Sequence, residues 1–346
     1  MATCSRYTLS LEKKVVTMKP SISSFPKVSV LIPLYNAEPY ITETIESVLA
    51  QTYPHIEMVI VDDGSSDGSY AIAQAYAKRH QNILLVKQKN RGPGATRNCA
   101  FNLSTGDYIQ YLDADDLLAP DKIALQMALL TDYGDKSLIF GSVATFYNDI
   151  DTSTFLNFPY FKNYDNSLNF LIDYWGEGGM IAISSLLIPR TTVTQAGRWN
   201  ERWILNEDGE FISRVIQKMQ RVIYLEESIS YYRKENPKSL NSQRSYQHYH
   251  AQLHAYYAYE QLLENHFSKS RNLAFALAKR YARFICHIYP NHPNLRQDAL
   301  RAIHRLGFHK PPPVGSPLFI TLSKYLGVSN TLFLQQLLHT LRKGLS

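Results

Sequence analysis

Short apolar runs, each followed by polar residues, recur along the first third of the chain. They span residues 28–32, 57–61, 83–86 and 108–112. Between the first two runs, Ile41, Ile45 and Val48 recur at the spacing of one helical face. Strands rich in β-branched residues that alternate with amphipathic helices predict a mostly parallel sheet flanked by helices, an α/β fold. We expect Pro33 to end the first strand, because proline cannot donate a hydrogen bond to a neighbouring strand.

The pattern changes to one of successive helices after about residue 245. Prolines at 290 and 293 and a triple proline at 311–313 interrupt the helical spacing. We therefore predict a polar tail over residues 1–26, an α/β domain over 27–240 and a mainly helical C-terminal region over 241–346.

Composition excludes several classes of protein. Hydrophobic residues make up 45% of the 346 residues and charged residues 19%, which is too apolar for a disordered chain. The three cysteines, Cys4, Cys99 and Cys286, lie far apart and lack the spacing of a zinc site. This usage is typical of a reducing compartment.

Charge is distributed unevenly along the chain. Residues 231–346 carry 16 Lys plus Arg against 4 Asp plus Glu, whereas residues 1–230 carry 20 against 26. The basic C-terminal region could face an anionic membrane surface, a phosphorylated acceptor or water alone. The acidic first part argues against nucleic acid as a partner. No apolar run approaches the ~18 residues of a membrane-spanning helix or forms a signal-peptide core, so we expect a cytoplasmic protein that is at most peripheral on a membrane.

Polar clusters follow three of the predicted strands, where parallel sheets bind ligands. They are residues 33–36, 61–68 and 111–116. Asp113 and Asp115 are two residues apart, so an extended chain places both carboxylates on one side. Such oxygen pairs hold Mg²⁺ or Mn²⁺, although an isolated pair of this kind is also typical of a turn or a helix cap.

Taken together, these motifs resemble those of the family 2 glycosyltransferases, which have the nucleotide-sugar-binding GT-A fold. The resemblance covers roughly residues 27–235 and rests on residues 28–36, 47–52, 61–68, 94–98, 113–116 and 207–211, in the family's order. It implies an inverting, metal-dependent and non-processive enzyme.

The resemblance implies a base pocket formed by Pro33, Tyr35 and Asp63. The Tyr35 ring would pack on uracil, and Asp63 would accept the hydrogen bond of the uracil N3–H. An ordinary core aromatic is the alternative for Tyr35. Asp62 is expected to cap its own loop.

It also implies a diphosphate and metal site. Arg97 would face the diphosphate, Asp113 would contact the ribose or a metal-bound water, and Asp115 would bind Mn²⁺ or Mg²⁺ directly. A surface ion pair is the alternative for Arg97.

On the acceptor side, the resemblance implies that Asp208 is the general base and that Glu207 orients it or binds acceptor hydroxyls. Glu210 and Arg214 are expected to form an i,i+4 pair. Trp175, Trp199 and Trp203 could stack on a sugar or lie in the core.

The sequence thus predicts transfer of a sugar, with a UDP-sugar as the expected donor, to a glycan or a lipid-linked acceptor in polysaccharide or glycolipid synthesis. A catalytically inactive nucleotide-sugar-binding or scaffold protein is the alternative. A nucleotidyltransferase would need a glycine-rich loop near the N-terminus, which we do not find.

Overall fold

The computed structural model describes residues 25–202, 207–234, 245–267 and 270–344. Residues 1–24 of the predicted tail and the predicted boundary at residue 240 lie outside the described residues. The chain divides into two compact units. Among the described residues, the first unit comprises 25–156, 182–201 and 223–234, and the second comprises the remainder.

The described residues contain nine β-strands and twelve α-helices. The strands are β1 (Val28–Leu34), β2 (Ile56–Asp62), β3 (Ile83–Lys87), β4 (Tyr108–Tyr111), β5 (Leu117–Leu118), β6 (Ser137–Phe146), β7 (Thr154–Phe155), β8 (Leu186–Pro189) and β9 (Arg221–Arg233). The helices are α1 (Ile41–Leu49), α2 (Ser69–Arg79), α3 (Pro93–Leu103), α4 (Lys122–Tyr133), α5 (Ser167–Glu177), α6 (Arg190–Ala196), α7 (Glu207–Gln217), α8 (Tyr246–Phe267), α9 (Arg271–Ile288), α10 (Pro293–Arg305), α11 (Pro317–Leu326) and α12 (Val328–Gly344).

The strands form one mixed sheet in the order β3-β2-β1-β4-β8-β6-β9-β5, with β7 paired to β6. Strand β1 pairs in parallel with β2 and β4, and β2 pairs in parallel with β3. The pairs β4–β8, β8–β6 and β5–β9 are antiparallel. The register sets Leu34 beside Asp62 and Leu31 beside Tyr111, so β1, β2 and β4 end at the same edge.

Strand β1 is buried almost along its whole length. Val28, Val30 and Ile32 are fully buried and share a core cluster with Ile41 and Ile45 of α1. Burying one such side chain contributes about 1.5–3 kcal/mol to stability.

Strand β1 does not end at Pro33, contrary to our expectation. It runs on to Leu34, and Pro33 lies in register with Val61 of β2. The Leu31 carbonyl accepts a hydrogen bond from the Leu112 N–H, so the backbone polar groups of Leu31 point toward β4. The backbone of Pro33, two residues on, points to the same side. The β1–β4 ladder stops at Leu31 and Tyr111. The missing proline N–H therefore breaks no ladder bond there.

The second unit is mainly helical and includes the successive helices that the sequence pattern predicts after residue 245. Helix α9 packs against α5, α8 and α10, and α7 packs against α5 and α8. Trp175 of α5 is fully buried and stacks on Tyr259 of α8, with ring centroids 5.2 Å apart. The predicted interruptions are present, since α10 begins at Pro293 and the triple proline lies between α10 and α11. None of the described helices combines the length and apolar content needed to cross a bilayer.

Candidate functional site

The loop after β1 presents an open aromatic ring. Tyr35 is 53% exposed, which excludes the alternative of a core aromatic. The next residue, Asn36, has φ 48°, and its side-chain oxygen accepts the backbone N–H of Ser66 at 2.8 Å. The loops that follow β1 and β2 are therefore tied together beside the half-buried Pro33.

Asp62, the last residue of β2, has a structural role. Its carboxylate is buried, lies 3.7 Å from the Lys87 ammonium and accepts the backbone N–H of Ser65 at 3.3 Å. This is the loop cap that we expected for Asp62.

Asp63 connects the end of β2 to the start of α3. One carboxylate oxygen accepts the Gln88 amide at 2.7 Å and the Arg91 backbone N–H at 2.9 Å, and the other accepts the Gly92 N–H at 2.9 Å. Gly92 has φ 88°, a conformation that favours glycine, and α3 begins directly after it. A carboxylate has about four acceptor positions, so one remains for a base N–H. That role for Asp63 stays a prediction.

Arg97 and Asp113 form a partly buried ion pair. The Arg97 Nη2 lies 2.7 Å from the Asp113 Oδ1, and the Arg97 side chain is only 4% exposed. Its guanidinium lies over the Trp199 ring, 4.5 Å from the centroid. The ion pair considered as the alternative for Arg97 is thus present, but its guanidinium is buried and not at the surface. Its role toward a diphosphate stays a prediction.

Trp199 is a core residue that supports Arg97. It is almost fully buried, packs edge-on against Tyr111 at 5.2 Å and exchanges two hydrogen bonds with Asn98, of 2.9 and 3.0 Å. Trp175 is also buried, in the second unit, and Trp203 lies outside the described residues.

Backbone hydrogen bonds shape the loop of Asp113, Asp115 and Asp116. The Asp116 N–H donates to the Asp113 carbonyl at 3.1 Å, and the Asp115 carbonyl accepts from the Arg233 Nε at 3.0 Å. The Asp113 and Asp115 side chains remain partly exposed. Two partly exposed carboxylates thus lie on the loop after β4.

Asp116 differs from them because it is buried. Burial raises the pKa of its carboxyl group well above the ordinary value, and the neighbouring Asp115 and Asp113 carboxylates add to the rise. The Arg233 backbone N–H, which donates to Asp116 at 3.0 Å, opposes it. Our sequence reasoning missed Arg233. Arg233 ends a run of mixed apolar and polar residues, and no local pattern marks it.

The donor set at this edge suits a hard divalent cation. The described part of the chain contains no group of three or more His, Cys, Asp or Glu side chains arranged to hold a metal ion. Mg²⁺ and similar ions, however, commonly bind through one or two carboxylates and complete their coordination with substrate phosphates and water. Asp113 and Asp115 fit a metal that binds together with a nucleotide diphosphate.

Glu207 and Asp208 begin α7 in the second unit, where the helix dipole favours negative charge. Burial raises the pKa of Tyr174, Arg280 lowers it, and the Asp208 charge raises it further, so Asp208 lies within electrostatic reach of that phenol. Glu210 pairs with Arg214 through two contacts of 2.6 and 2.7 Å, as expected. The catalytic roles of Glu207 and Asp208 stay predictions.

Comparison with known proteins identifies this arrangement. Residues 29–187 match the family model Glycosyl transferase family 2. This part of the chain belongs to glycosyltransferase family 2. A structure of S. aureus TarS 1-349 in complex with UDP-GlcNAc has a TM-score of 0.61 and 20% identity, covering 92% of each chain. The predicted GT-A fold is thereby confirmed.

The family 2 domain is also similar to parts of larger proteins. Glycosyltransferase GlyA of Streptococcus pneumoniae is 29% identical over 60% of this chain, and chondroitin synthase of Escherichia coli is 37% identical over 40%. The matches cover 30% and 20% of those two proteins, so the chain spans less than a third of their length.

Proposed function

We propose that this chain transfers a sugar from a nucleotide-sugar donor to a hydroxyl group of an acceptor, with inversion at the anomeric carbon. The proposal rests on the family 2 domain and on the side chains at the shared edge of β1, β2 and β4. It extends the domain assignment to an activity of the whole chain.

One observation carries the proposal, namely the pairing of Arg97 with Asp113 beside Asp115 at the end of β4. A buried guanidinium paired with one of two partly exposed carboxylates on the same loop suits a diphosphate together with its metal ion.

The donor would be bound by groups at this edge. The exposed Tyr35 ring offers a stacking face for a base, and Asp63 has one free acceptor position for a base N–H. Arg97 offers positive charge to the diphosphate. Asp113 and Asp115 would hold Mg²⁺ or Mn²⁺, which when bound neutralises charge that develops on the leaving diphosphate.

Asp208 is proposed as the general base, on the family motif that it shares with Glu207. In an inverting displacement the acceptor hydroxyl must lose its proton as it attacks the anomeric carbon. Asp208 would accept that proton, and Glu207 would orient Asp208 or bind acceptor hydroxyls.

The first donor to test is a UDP-sugar, because the similar TarS structure contains UDP-GlcNAc. The proposed acceptor is a glycan or a lipid-linked sugar, in keeping with relatives such as chondroitin synthase. The corresponding process would be synthesis of a surface polysaccharide or glycolipid.

A donor screen tests the proposal. The purified chain is heated with each of a panel of nucleotide sugars, with Mn²⁺, Mg²⁺ or a chelator, since a ligand of the folded state raises the melting temperature. The stabilising donor is then assayed for slow hydrolysis, with Asp115→Asn as the matched control. Metal-dependent binding and hydrolysis that Asp115→Asn loses support the proposal. Binding without any hydrolysis would instead favour an inactive nucleotide-sugar-binding protein.

A further inference from the structure

The last two helices of the second unit expose apolar side chains on continuous faces. On α11, Leu318 is 70% exposed and Tyr325 is 85% exposed, with Leu322 and Leu326 also open to water. These positions follow the i, i+4, i+7, i+8 spacing of one helical face. An amphipathic helix of a water-facing protein normally turns such a face to the core.

Helix α12 repeats the arrangement. Phe333, Leu334, Leu337 and Leu338 are all exposed, whereas Val328 and Leu332 are buried. The exposed positions are again three and four residues apart, so they share a face. Because α11 and α12 pack against each other, the two faces belong to one helical pair. We name this set of residues, Leu318, Leu322, Tyr325, Leu326, Phe333, Leu334, Leu337 and Leu338, the C-terminal apolar face.

Scattered exposed apolar residues are ordinary, but eight large ones within 21 consecutive positions are not. Contiguous apolar patches of this kind mark sites of interaction with a protein, a ligand or a membrane. The C-terminal apolar face therefore needs a partner that covers it.

Charge indicates which partner fits. Residues 310–346 contain four Lys plus Arg and not one Asp or Glu, within the region of net charge +12 that begins at residue 231. Lys324 is exposed on α11 itself, between Leu322 and Tyr325. Basic residues near an anionic bilayer contribute about 1 kcal/mol each, while apolar and aromatic side chains enter the headgroup boundary. A second copy of the chain would bring a second basic C-terminal region, and like charges oppose that contact.

Helix length sets the orientation on a bilayer. Helix α11 has 10 residues and α12 has 17, which correspond to about 15 and about 25 Å at 1.5 Å per residue. Both are shorter than the ~30 Å hydrocarbon core. Helices of this kind lie in the plane of the membrane–water interface with the apolar face toward the hydrocarbon core.

We propose that the C-terminal apolar face binds the surface of an anionic lipid bilayer by inserting its leucine and aromatic side chains at the headgroup boundary. This goes beyond the proposed sugar transfer and does not depend on it, because binding to vesicles is measured without donor or acceptor.

Vesicle flotation of the full chain tests the proposal. We expect binding to phosphatidylcholine vesicles that contain phosphatidylglycerol at low salt, weaker binding to phosphatidylcholine alone, and release at high salt, since salt screens the charges. Equal recovery with both kinds of vesicle, or none with either, would overturn the proposal.

A matched pair of double variants tests the surface itself. Leu322→Gln with Tyr325→Gln removes two members of the C-terminal apolar face, and we expect a loss of vesicle partitioning on the order of tenfold or more. Leu103→Gln with Tyr133→Gln removes one exposed Leu and one exposed Tyr from helices of the first unit and should bind like the unchanged chain. An equal effect of both double variants would contradict the assignment.

A reporter variant keeps the test decisive if the first double variant folds poorly. In Tyr325→Trp the new indole should shift its emission to the blue with anionic vesicles and not without them.

Light scattering at rising protein concentration tests the competing possibility that a second copy of the chain covers the C-terminal apolar face. Self-association that Leu322→Gln with Tyr325→Gln abolishes, without vesicle binding by the unchanged chain, would make the face a contact between copies and overturn the proposal.

Discussion

Arg233, the last residue of β9, donates a hydrogen bond from its Nε to the backbone carbonyl of Asp115 at 3.0 Å. The same guanidinium donates to the Tyr147 carbonyl at 3.2 Å and pairs with Glu43 of α1 at 2.6 Å. Its own backbone N–H donates to Asp116. One buried arginine thus fixes the carbonyl of the proposed metal ligand from a strand more than one hundred residues away.

Arg233→Met should weaken this hold while it keeps an unbranched apolar stem beside Tyr40 and Phe146. Buried acceptors left without a donor cost about 1–3 kcal/mol, so we expect a loss of stability in that range. We also expect weaker metal-dependent UDP binding, because the Asp115 loop loses a fixed position. Calorimetric UDP titration with and without Mn²⁺ measures the second effect.

Glu43→Gln is the control for this change, because it leaves the bond from Arg233 to Asp115 in place. Its effect on UDP binding should be smaller than that of Arg233→Met. If Arg233→Met binds UDP with Mn²⁺ as tightly as the unchanged chain does, Arg233 has no positioning role.

Asp115 and Asp63 should separate the metal-dependent and metal-independent parts of donor binding. We expect Asp115→Ala to lose the gain in UDP affinity that Mn²⁺ gives and to keep the affinity measured with a chelator. Asp63→Asn should weaken UDP binding in both conditions, because an amide has one accepting oxygen where the carboxylate has two, and that carboxylate already accepts from Gln88, Arg91 and Gly92. Equal, metal-independent affinities of Asp115→Ala and the unchanged chain would sink the metal assignment.

The parallel half of the sheet could be predicted from sequence because its signals are local. Each strand of that half is a short apolar run, and each polar cluster follows the end of one, as with Asp63 and Asp113. The register of β1 with β2 and β4 then brings those residues to one edge. The loop-capping role of Asp62 follows from the same local reasoning.

Contacts between distant positions could not be predicted in this way. The Arg97 guanidinium lies over the ring of Trp199, which is about one hundred positions later in the chain. From the sequence alone, Trp199 could equally be a residue that stacks on a sugar. Arg233 ends a strand whose neighbours in the sheet, β5 and β6, come from other parts of the chain, and no local motif marks it. The expectation for Pro33 failed for a related reason. Whether its missing N–H costs a hydrogen bond depends on where the pairing of β1 with β4 stops.

Asp208→Asn tests the proposed chemistry. The amide keeps the shape of the side chain but cannot accept the acceptor proton, so transfer should fall by at least the ~10²-fold typical of general-base loss. UDP affinity should stay close to that of the unchanged chain. The matched control is Glu210→Gln, two residues after Asp208 on α7. It removes the ion pair with Arg214 and should affect stability rather than the rate of transfer. Near-normal turnover of Asp208→Asn would move the base assignment to Glu207.

Glu57 of β2 should make stability depend on acid pH. Burial alone would raise the pKa of its carboxyl group, but hydrogen bonds from Lys27, Ser29 and Thr105 outweigh burial and lower it from 4.5 to about 2. A carboxyl group whose pKa is lower in the folded than in the unfolded state stabilises the fold fully at pH values above its unfolded pKa. That contribution is lost as the pH falls from 4.5 through about 2.

We therefore expect Glu57→Gln to destabilise the chain most near neutral pH, where the charged acceptor is lost, by about 1–3 kcal/mol. The difference from the unchanged chain should shrink as the pH falls from 4.5 toward about 2, because the native carboxylate then becomes protonated as well. Urea unfolding at a series of pH values, followed by circular dichroism, measures this difference. Glu226→Gln, at an exposed position of β9, removes a carboxylate without such hydrogen bonds and is the control. A penalty for Glu57→Gln that stayed constant from neutral pH to about 2 would mean that the hydrogen bonds to Glu57 do not depend on its charge.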